Sequence, residues 1–260
     1  VTSEMSGFNG QVNNYFILEN DDLITLYKDS NDISFNTNNN YEFIDYNPVN
    51  FALTPEPFKY WMEKEINEQV QSSLRAIGMG GRINNSNIRL GGLNNSKNIL
   101  KEIENIIILG CGTSFNAAMI ASIYFKRLNY FNNVAAYDGS EFSKFDIPLI
   151  GKTAIILLSQ SGETMDLRRC IQIAKEEHLY MLGVVNVVDS MIAREVYSGV
   201  YLNAGREVAV ASTKSFTSQL IVLGLISLWF GQLHGLSFNY EKKSSDLRKI
   251  SVNIQSTLDI

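Results

Sequence analysis

The chain has 260 residues, 45% of them hydrophobic and 19% charged, enough to bury the core of one large domain or of one domain with appendages. Its formal charge of −5 argues against a general attraction to nucleic acid, so a bound phosphate has to be held by local dipoles in a pocket. The longest apolar run, 220–226, extends only to Phe230 with a serine inside it, short of the ~20 residues that cross a bilayer, so no membrane span is expected.

Val1 is followed by a polar stretch without a basic n-region or an apolar h-region, so no secretory signal is read, and the missing start methionine points to a fragment. Residues 1–47 read as short strands, with 14–18 and 23–27 forming a hairpin about the acidic turn 19–22. With an asparagine-rich stretch at 36–40, this segment is too small for an independent core, and a linker is expected around Asn47 and Pro48. From Phe58 to Ile77 the spacing of Phe58, Trp61, Met62, Ile66, Val70 and Leu74 predicts an amphipathic helix, with Lys64, Glu65 and Glu68 elsewhere on its circumference. Gly78, Gly80 and Gly81 end it, and 84–97 reads as a polar loop.

Strands and helices then alternate. Strands are expected at 106–109, 134–137, 153–158, 181–185 and 200–202, and helices at 113–128, 166–177, 191–197 and from Ser212 onward. A charged helix over 241–258 closes the chain. The rhythm predicts a three-layer α/β sandwich with a mostly parallel sheet. In such sheets ligands bind beyond the carboxyl ends of the strands, which singles out the loops after Leu109, Leu158 and Val185 and the loop leading into Ser212.

Those loops share a composition. After the strand TAIILL come Ser159, Gln160, Ser161, Gly162, Glu163 and Thr164, with Ser161 where a helix N-cap belongs and Gly162 able to let a ligand approach the backbone. Gly110-Cys111-Gly112-Thr113-Ser114 and Ala209-Val210-Ala211-Ser212-Thr213-Lys214 repeat the small and hydroxylated pattern before other helices. One such loop is an ordinary capped helix start; three at one end of a sheet point to a phosphate-bearing small molecule. Lys214 is either a cation for that ligand or a solvated surface lysine, and Glu163 is read as a complement to its helix dipole rather than as a base. Cys111 and Cys170 have no zinc spacing with the two histidines and are read as packed thiols in a reducing, cytoplasmic compartment. Neither a metal nor a cofactor is expected. His178 and His234 are expected to be exposed helix ends.

The motifs ILGCGTS, LLSQSGETMD and NAGREVAVASTKSFTSQ, with YWMEKEINEQ and Gly81-Arg82 upstream, resemble the first sugar isomerase (SIS) domain of the glutamine–fructose-6-phosphate transaminase family. SEMSGF and NYFILENDDLI within residues 1–47 resemble the end of that family's glutaminase domain, which leaves 48–260 for the isomerase domain with its leading and trailing helices. The resemblance implies hexosamine biosynthesis, with fructose 6-phosphate or glucose 6-phosphate as ligand and a homo-oligomeric parent. It also implies sugar-phosphate contacts from Thr113, Ser114, Ser159, Gln160, Ser161 and Thr164, with the Val210 backbone and the Ser212 side chain facing the sugar. Ala209, Val70 and the Leu167-Arg168-Arg169 run depart from the family's pattern near these loops. The family's isomerisation glutamate and lysine and its ring-opening histidine belong to a second isomerase domain and tail, so no catalytic residue is assigned, and the chain alone is expected to bind without turnover. The alternative expectation is a phosphosugar-binding regulatory module without catalysis.

Overall fold

The computed structural model describes residues 2, 8, 11–18, 22–29, 32–46 and 54–260. The chain divides into two compact units, Val1–Thr54 and Pro55–Ile260. In the first, β1 (Asn14–Tyr15) pairs antiparallel with β4 (Ile44–Asp45), and β2 (Ile24–Asp29) pairs antiparallel with β3 (Asp32–Thr37). The expected hairpin is therefore replaced: Asp29 faces Asp32, and the partner of 24–29 is the strand that follows it, not 14–18. A two-residue connection keeps the six-residue β2 and β3 in register, and the pairing is local. The Asn47–Pro48 linker and most of the acidic turn lie outside the described residues.

The second unit opens with two helices, α1 (Trp61–Asn67) and α2 (Gln69–Ala76), where the sequence predicts one. Glu68 stays in the right-handed region at the joint, and the Ser72 N–H donates to its carbonyl at 2.9 Å. The expected polar loop contains a small hairpin, β5 (Ile83–Asn84) with β6 (Asn87–Ile88), a 3₁₀ turn at Gly91–Ser96 and the short α3 (Lys97–Leu100).

The alternation then builds β7 (Asn105–Gly110), α4 (Thr113–Lys126), β8 (Asn133–Asp138), β9 (Thr153–Ser159), α5 (Met165–Glu176), β10 (Tyr180–Val185), α6 (Met191–Glu195), β11 (Ser198–Tyr201) and α7 (Lys214–Leu233). The five strands form one parallel sheet in the order β11-β10-β9-β7-β8. Every residue of β7 and of β9 is buried, as unbroken apolar strands covered on both faces should be. Alternate residues serve opposite faces. Ile106, Ile108, Ala154, Ile156 and Leu158 pack with Ala117, Ala121 and Phe125 of α4 and Val222 and Ile226 of α7. Ile107, Leu109, Ile155 and Leu157 pack with Leu167, Ile171 and Ala174 of α5 and Ile192 of α6. These are the expected three layers.

The long α7 corrects the reading that no segment could span a bilayer. Its 20 residues meet the length and hydropathy of a span, because the helix adds Lys214–Gln219 and Gly231–Leu233 to the apolar run; yet 67% of the window is buried in the core. The terminal helix is also divided, into α8 (Tyr240–Arg248) and α9 (Ile250–Leu258), with Lys249 at the joint.

Candidate functional site at the strand ends

The order of the strands locates the site before any side chain is considered. From β7 the chain passes to β8 on one side and then crosses to β9 on the other, so the loops after β7 and β9 diverge from neighbouring strand ends. That divergence is the topological switch point at which open parallel sheets hold ligands.

After β7, Gly110 lies so close to the next helix that a Cβ there would stand 2.7 Å from the Ser114 carbonyl carbon. Glycine thus brings the start of α4 directly over the strand end. Thr113 is exposed; Ser114 is buried, with its Oγ 2.9 Å from Nε2 of Gln219 on α7. Both open α4, where the Ser114 N–H donates to Cys111 O at 3.2 Å and the Phe115 and Asn116 N–H groups donate to Gly112 O at 3.1 and 3.3 Å.

After β9 the loop folds on its own hydroxyls. Ser159, 2% exposed, accepts the Gly162 N–H at 2.9 Å and lies 2.9 Å from Oγ1 of Thr164. Ser161 Oγ accepts the Glu163 N–H at 3.1 Å. The N-cap of α5 is Thr164 and not Ser161, because the turn closed by Ser159 delays the helix to Met165. Gln160, Ser161 and Thr164 are half-buried along the loop, while Ser159 sits inside it as its organiser. Glu163 also departs from expectation. It precedes the helix, and its Oε1 accepts the Met191 N–H at 2.8 Å, capping α6 instead of α5. Gly162 O accepts the Ile192 N–H at 3.0 Å, so the loop is docked on α6 at two points.

The segment leading into α7 is bound from several directions. Glu207 accepts the Ser212 hydroxyl at 2.9 Å and the N–H groups of Thr213 at 2.9 Å and Ser215 at 3.1 Å, capping α7. Val210 is fully exposed at 106%, and Ser212 is half-buried. Lys214, open between two readings in the sequence, is 3% exposed and paired with Glu68. It is neither a solvated lysine nor a free cation for a ligand.

Two residues that the sequence did not single out tie the loops together. Asn186, just beyond β10, donates its backbone N–H to Gln160 O at 3.3 Å, accepts the Ala204 N–H at 2.8 Å and donates Nδ2 to Gly205 O at 2.8 Å. Gln219 joins α7 to Ser114. Their only sequence signal is position: one follows a strand and the other lies two turns into a helix.

The cysteines are poor nucleophiles here. Burial, followed by the Asp138 carboxylate, pushes the half-buried Cys111 thiol up, and burial raises Cys170 to about 12. Asp138 is held below the usual carboxylate range chiefly by the Ser140 N–H and hydroxyl, at 3.0 and 2.7 Å. His178 is exposed as expected, but His234 is half-buried and stacked on Tyr130 at 3.7 Å between ring centroids. Among the described residues no cluster of His, Cys, Asp and Glu could hold a metal ion. Two concavities lie away from the loops: one of about 330 Å³ between α4, α7 and α8, and one of about 800 Å³ lined by Thr153 and Tyr180 at the amino ends of β9 and β10. The chemistry follows the strand ends instead. A cluster of hydroxyls and helix-start amides suits an anion better than an apolar ligand.

Comparison with known proteins bears on these loops directly. The SIS domain family model matches residues 99–228, half of the chain, and includes the loops after β7 and β9 and most of α7. A probable isomerizing glutamine–fructose-6-phosphate aminotransferase of Acanthamoeba polyphaga mimivirus is 38% identical over 88% of this chain and 37% of its own length. The corresponding aminotransferase of Corynebacterium diphtheriae is 31% identical over 99% of this chain and 41% of its own length. The chain therefore spans between 26% and 41% of the length of the curated relatives it matches. Among solved structures, the C-terminal domain of the Francisella tularensis glucosamine-fructose-6-phosphate aminotransferase superposes with a TM-score of 0.71 at 27% identity, covering 77% of this chain and 56% of that one.

Proposed function

The chain belongs to the SIS domain family, and from that membership we propose that it is the hexose-phosphate-holding part of an isomerizing glutamine–fructose-6-phosphate aminotransferase. The single observation carrying this reading is the loop after β9, where Ser159, Gln160, Ser161 and Thr164 surround a positive-φ glycine at the switch point of the sheet. Phosphate binds there through the Ser161 and Thr164 hydroxyls, the Gln160 side chain and the N-terminal amides of α5. Ser159 holds the loop from beneath.

The electrostatics support one orientation of the ligand. The buried Glu65 and the helix-capping Glu207 lie along the 205–214 segment and disfavour a phosphate there, Glu68 being paired with Lys214, while the loop after β9 offers hydroxyls and helix-start amides. The sugar therefore faces Val210 and Ser212, with Thr113 and Ser114 along its side. Three carboxylates near the loops are already hydrogen-bonded: Glu163 to Met191, Glu207 to the start of α7, and Glu65 to Val208 and Ala209. The site accordingly binds without turnover on its own, and the parent's acid–base groups come from elsewhere. Residues 1–47 are proposed as the end of the glutaminase domain, supported by an alignment that extends over 99% of the chain. A cytoplasmic, homo-oligomeric parent completes the proposal, supported by the apolar Met119, Ile120 and Ile123 left exposed on α4. The test is calorimetry with fructose 6-phosphate on Ser161→Ala and Thr164→Val. Each removes a hydrogen bond to a charged group, worth about 1.5 to 3 kcal/mol, so affinity falls about tenfold to hundredfold. Unchanged affinity in both variants overturns the assignment.

A further inference from the structure

The helix pair α1–α2 was read in the sequence as presenting its charges away from its apolar face, but one polar stripe on it is turned inward. Glu65 is 1% exposed, and its carboxylate accepts the Val208 N–H at 2.5 Å and the Ala209 N–H at 3.3 and 3.2 Å. Glu68 pairs with the buried Lys214, and Gln69 Oε1 accepts the Thr217 hydroxyl at 2.5 Å. Arg75 donates to Asn203 O at 2.9 Å and to Ala204 O at 2.8 Å. Positions 65, 68, 69 and 75 recur at helical spacing, so a single face of the pair binds the 203–217 segment along its length.

Burying a carboxylate is costly unless its lone pairs are used, and here they are used by two successive backbone amides of an otherwise irregular segment. Those amides are thereby removed from any ligand, and the backbone on either side of them is fixed. Other bonds hold the segment toward its two ends: Glu207 fixes Ser212–Ser215, and Asn186 with Arg75 fixes 203–205. Val208 and Ala209 lie between, immediately before Val210.

We infer that Glu65 is a positioning residue: by holding the Val208 and Ala209 amides it sets the backbone that presents Val210 and Ser212 to the sugar, and so fixes selectivity for the hexose rather than affinity for the phosphate. The inference rests on the proposed function of the site, and it predicts a split between the two halves of one ligand. Two measurements on the chain test it, with Glu65→Gln keeping the length and one acceptor and Glu65→Ala keeping neither. In hydrogen exchange followed by mass spectrometry, Glu65→Ala speeds exchange in peptides covering 205–213 while peptides covering 153–164 keep their wild-type protection. In calorimetry, Glu65→Ala weakens fructose 6-phosphate by about tenfold or more, Glu65→Gln by less, and both leave sn-glycerol 3-phosphate within about twofold. Ser161→Ala weakens both ligands. Unchanged exchange at 205–213 overturns the clamp whatever binds to the site. Equal losses for the two phosphates overturn the sugar-selective role, and a wild-type chain that binds neither ligand removes the proposed function and the positioning role with it, the exchange result then standing for the clamp alone.

Discussion

Gly162 is the position where the geometry of the phosphate loop is most exposed to a single substitution. Its φ is +72°, and a Cβ there would lie 2.0 Å from Ser190 Oγ and 2.4 Å from Ser190 Cβ. Gly162→Ala therefore incurs two separable costs. A left-handed conformation costs an alanine about 1 to 2 kcal/mol, and overpacking against Ser190 costs about 1 to 3 kcal/mol more. The sum, about 2 to 5 kcal/mol, lowers the melting temperature by about 4 to 20 °C for a domain of this size. The loop relieves the clash only by moving off α6, which breaks the Gly162 O to Ile192 and Glu163 to Met191 hydrogen bonds and displaces Ser161 and Thr164. Fructose 6-phosphate affinity should therefore fall by more than about tenfold. Among the described residues the buried Ser190 Oγ has no hydrogen-bond partner, so Ser190→Gly breaks none of the described side-chain bonds and costs only a few tenths of a kcal/mol at the α6 N-cap. The double variant should regain the overpacking share and keep the left-handed share. Urea and thermal melts with calorimetry measure all of this. A Gly162→Ala protein within about 0.5 kcal/mol of the parent, with unchanged affinity, refutes the reasoning, since that is the size of an ordinary surface substitution.

Further outcomes follow from other parts of the fold. His234 is held below its usual 6.5 by burial, with Lys101 adding to the effect. Above that value the ring is neutral in both states; as pH falls below it the unfolded chain takes up a proton that the folded ring refuses, so stability declines until the folded pKa is passed. His234→Phe, which keeps a ring against Tyr130, should flatten that decline in urea midpoints between pH 7.5 and 5.5; an unaltered slope contradicts the assignment. With its pKa at about 12 and its side chain buried, Cys170 should resist alkylation in the native protein and react on unfolding, whereas the half-buried Cys111 reacts first; mass spectrometry of timed iodoacetamide reactions reads the order. Supplied with fructose 6-phosphate and ammonium, the chain should form no glucosamine 6-phosphate, and product that disappears in Ser161→Ala would place a base within the site.

Much of the sheet was legible because its strands are unbroken apolar runs between small, hydroxylated turns. The strand read at 153–158 needed no more than its own composition to be placed in the sheet, and the structure extends it by Ser159. The small, hydroxylated loops at the strand ends were legible for the same local reason. What the sequence hid is long-range. Glu65 has the same local appearance as a solvated helix carboxylate, and only the arrival of Val208 and Ala209, 143 and 144 residues away, makes it a buried anchor. Lys214 was ambiguous because its partner Glu68 lies 146 residues upstream. Asn186 carries no local pattern, and Gln219, though it ends the run NAGREVAVASTKSFTSQ, shows no role there, since each acts through bonds to loops elsewhere. The N-cap moved from Ser161 to Thr164 because Ser159 spends its hydroxyl on the Gly162 amide, a competition between two turns that S-x-x-T spacing does not resolve.

If the β9 loop is a phosphate site serving a sugar, titration of the wild-type chain with fructose 6-phosphate and with fructose separates the two ligands. The phosphate ester should bind measurably and the free sugar at least about a hundredfold more weakly, the loss expected when two or more charge-assisted hydrogen bonds go unmade. Equal affinity for fructose and fructose 6-phosphate would contradict it.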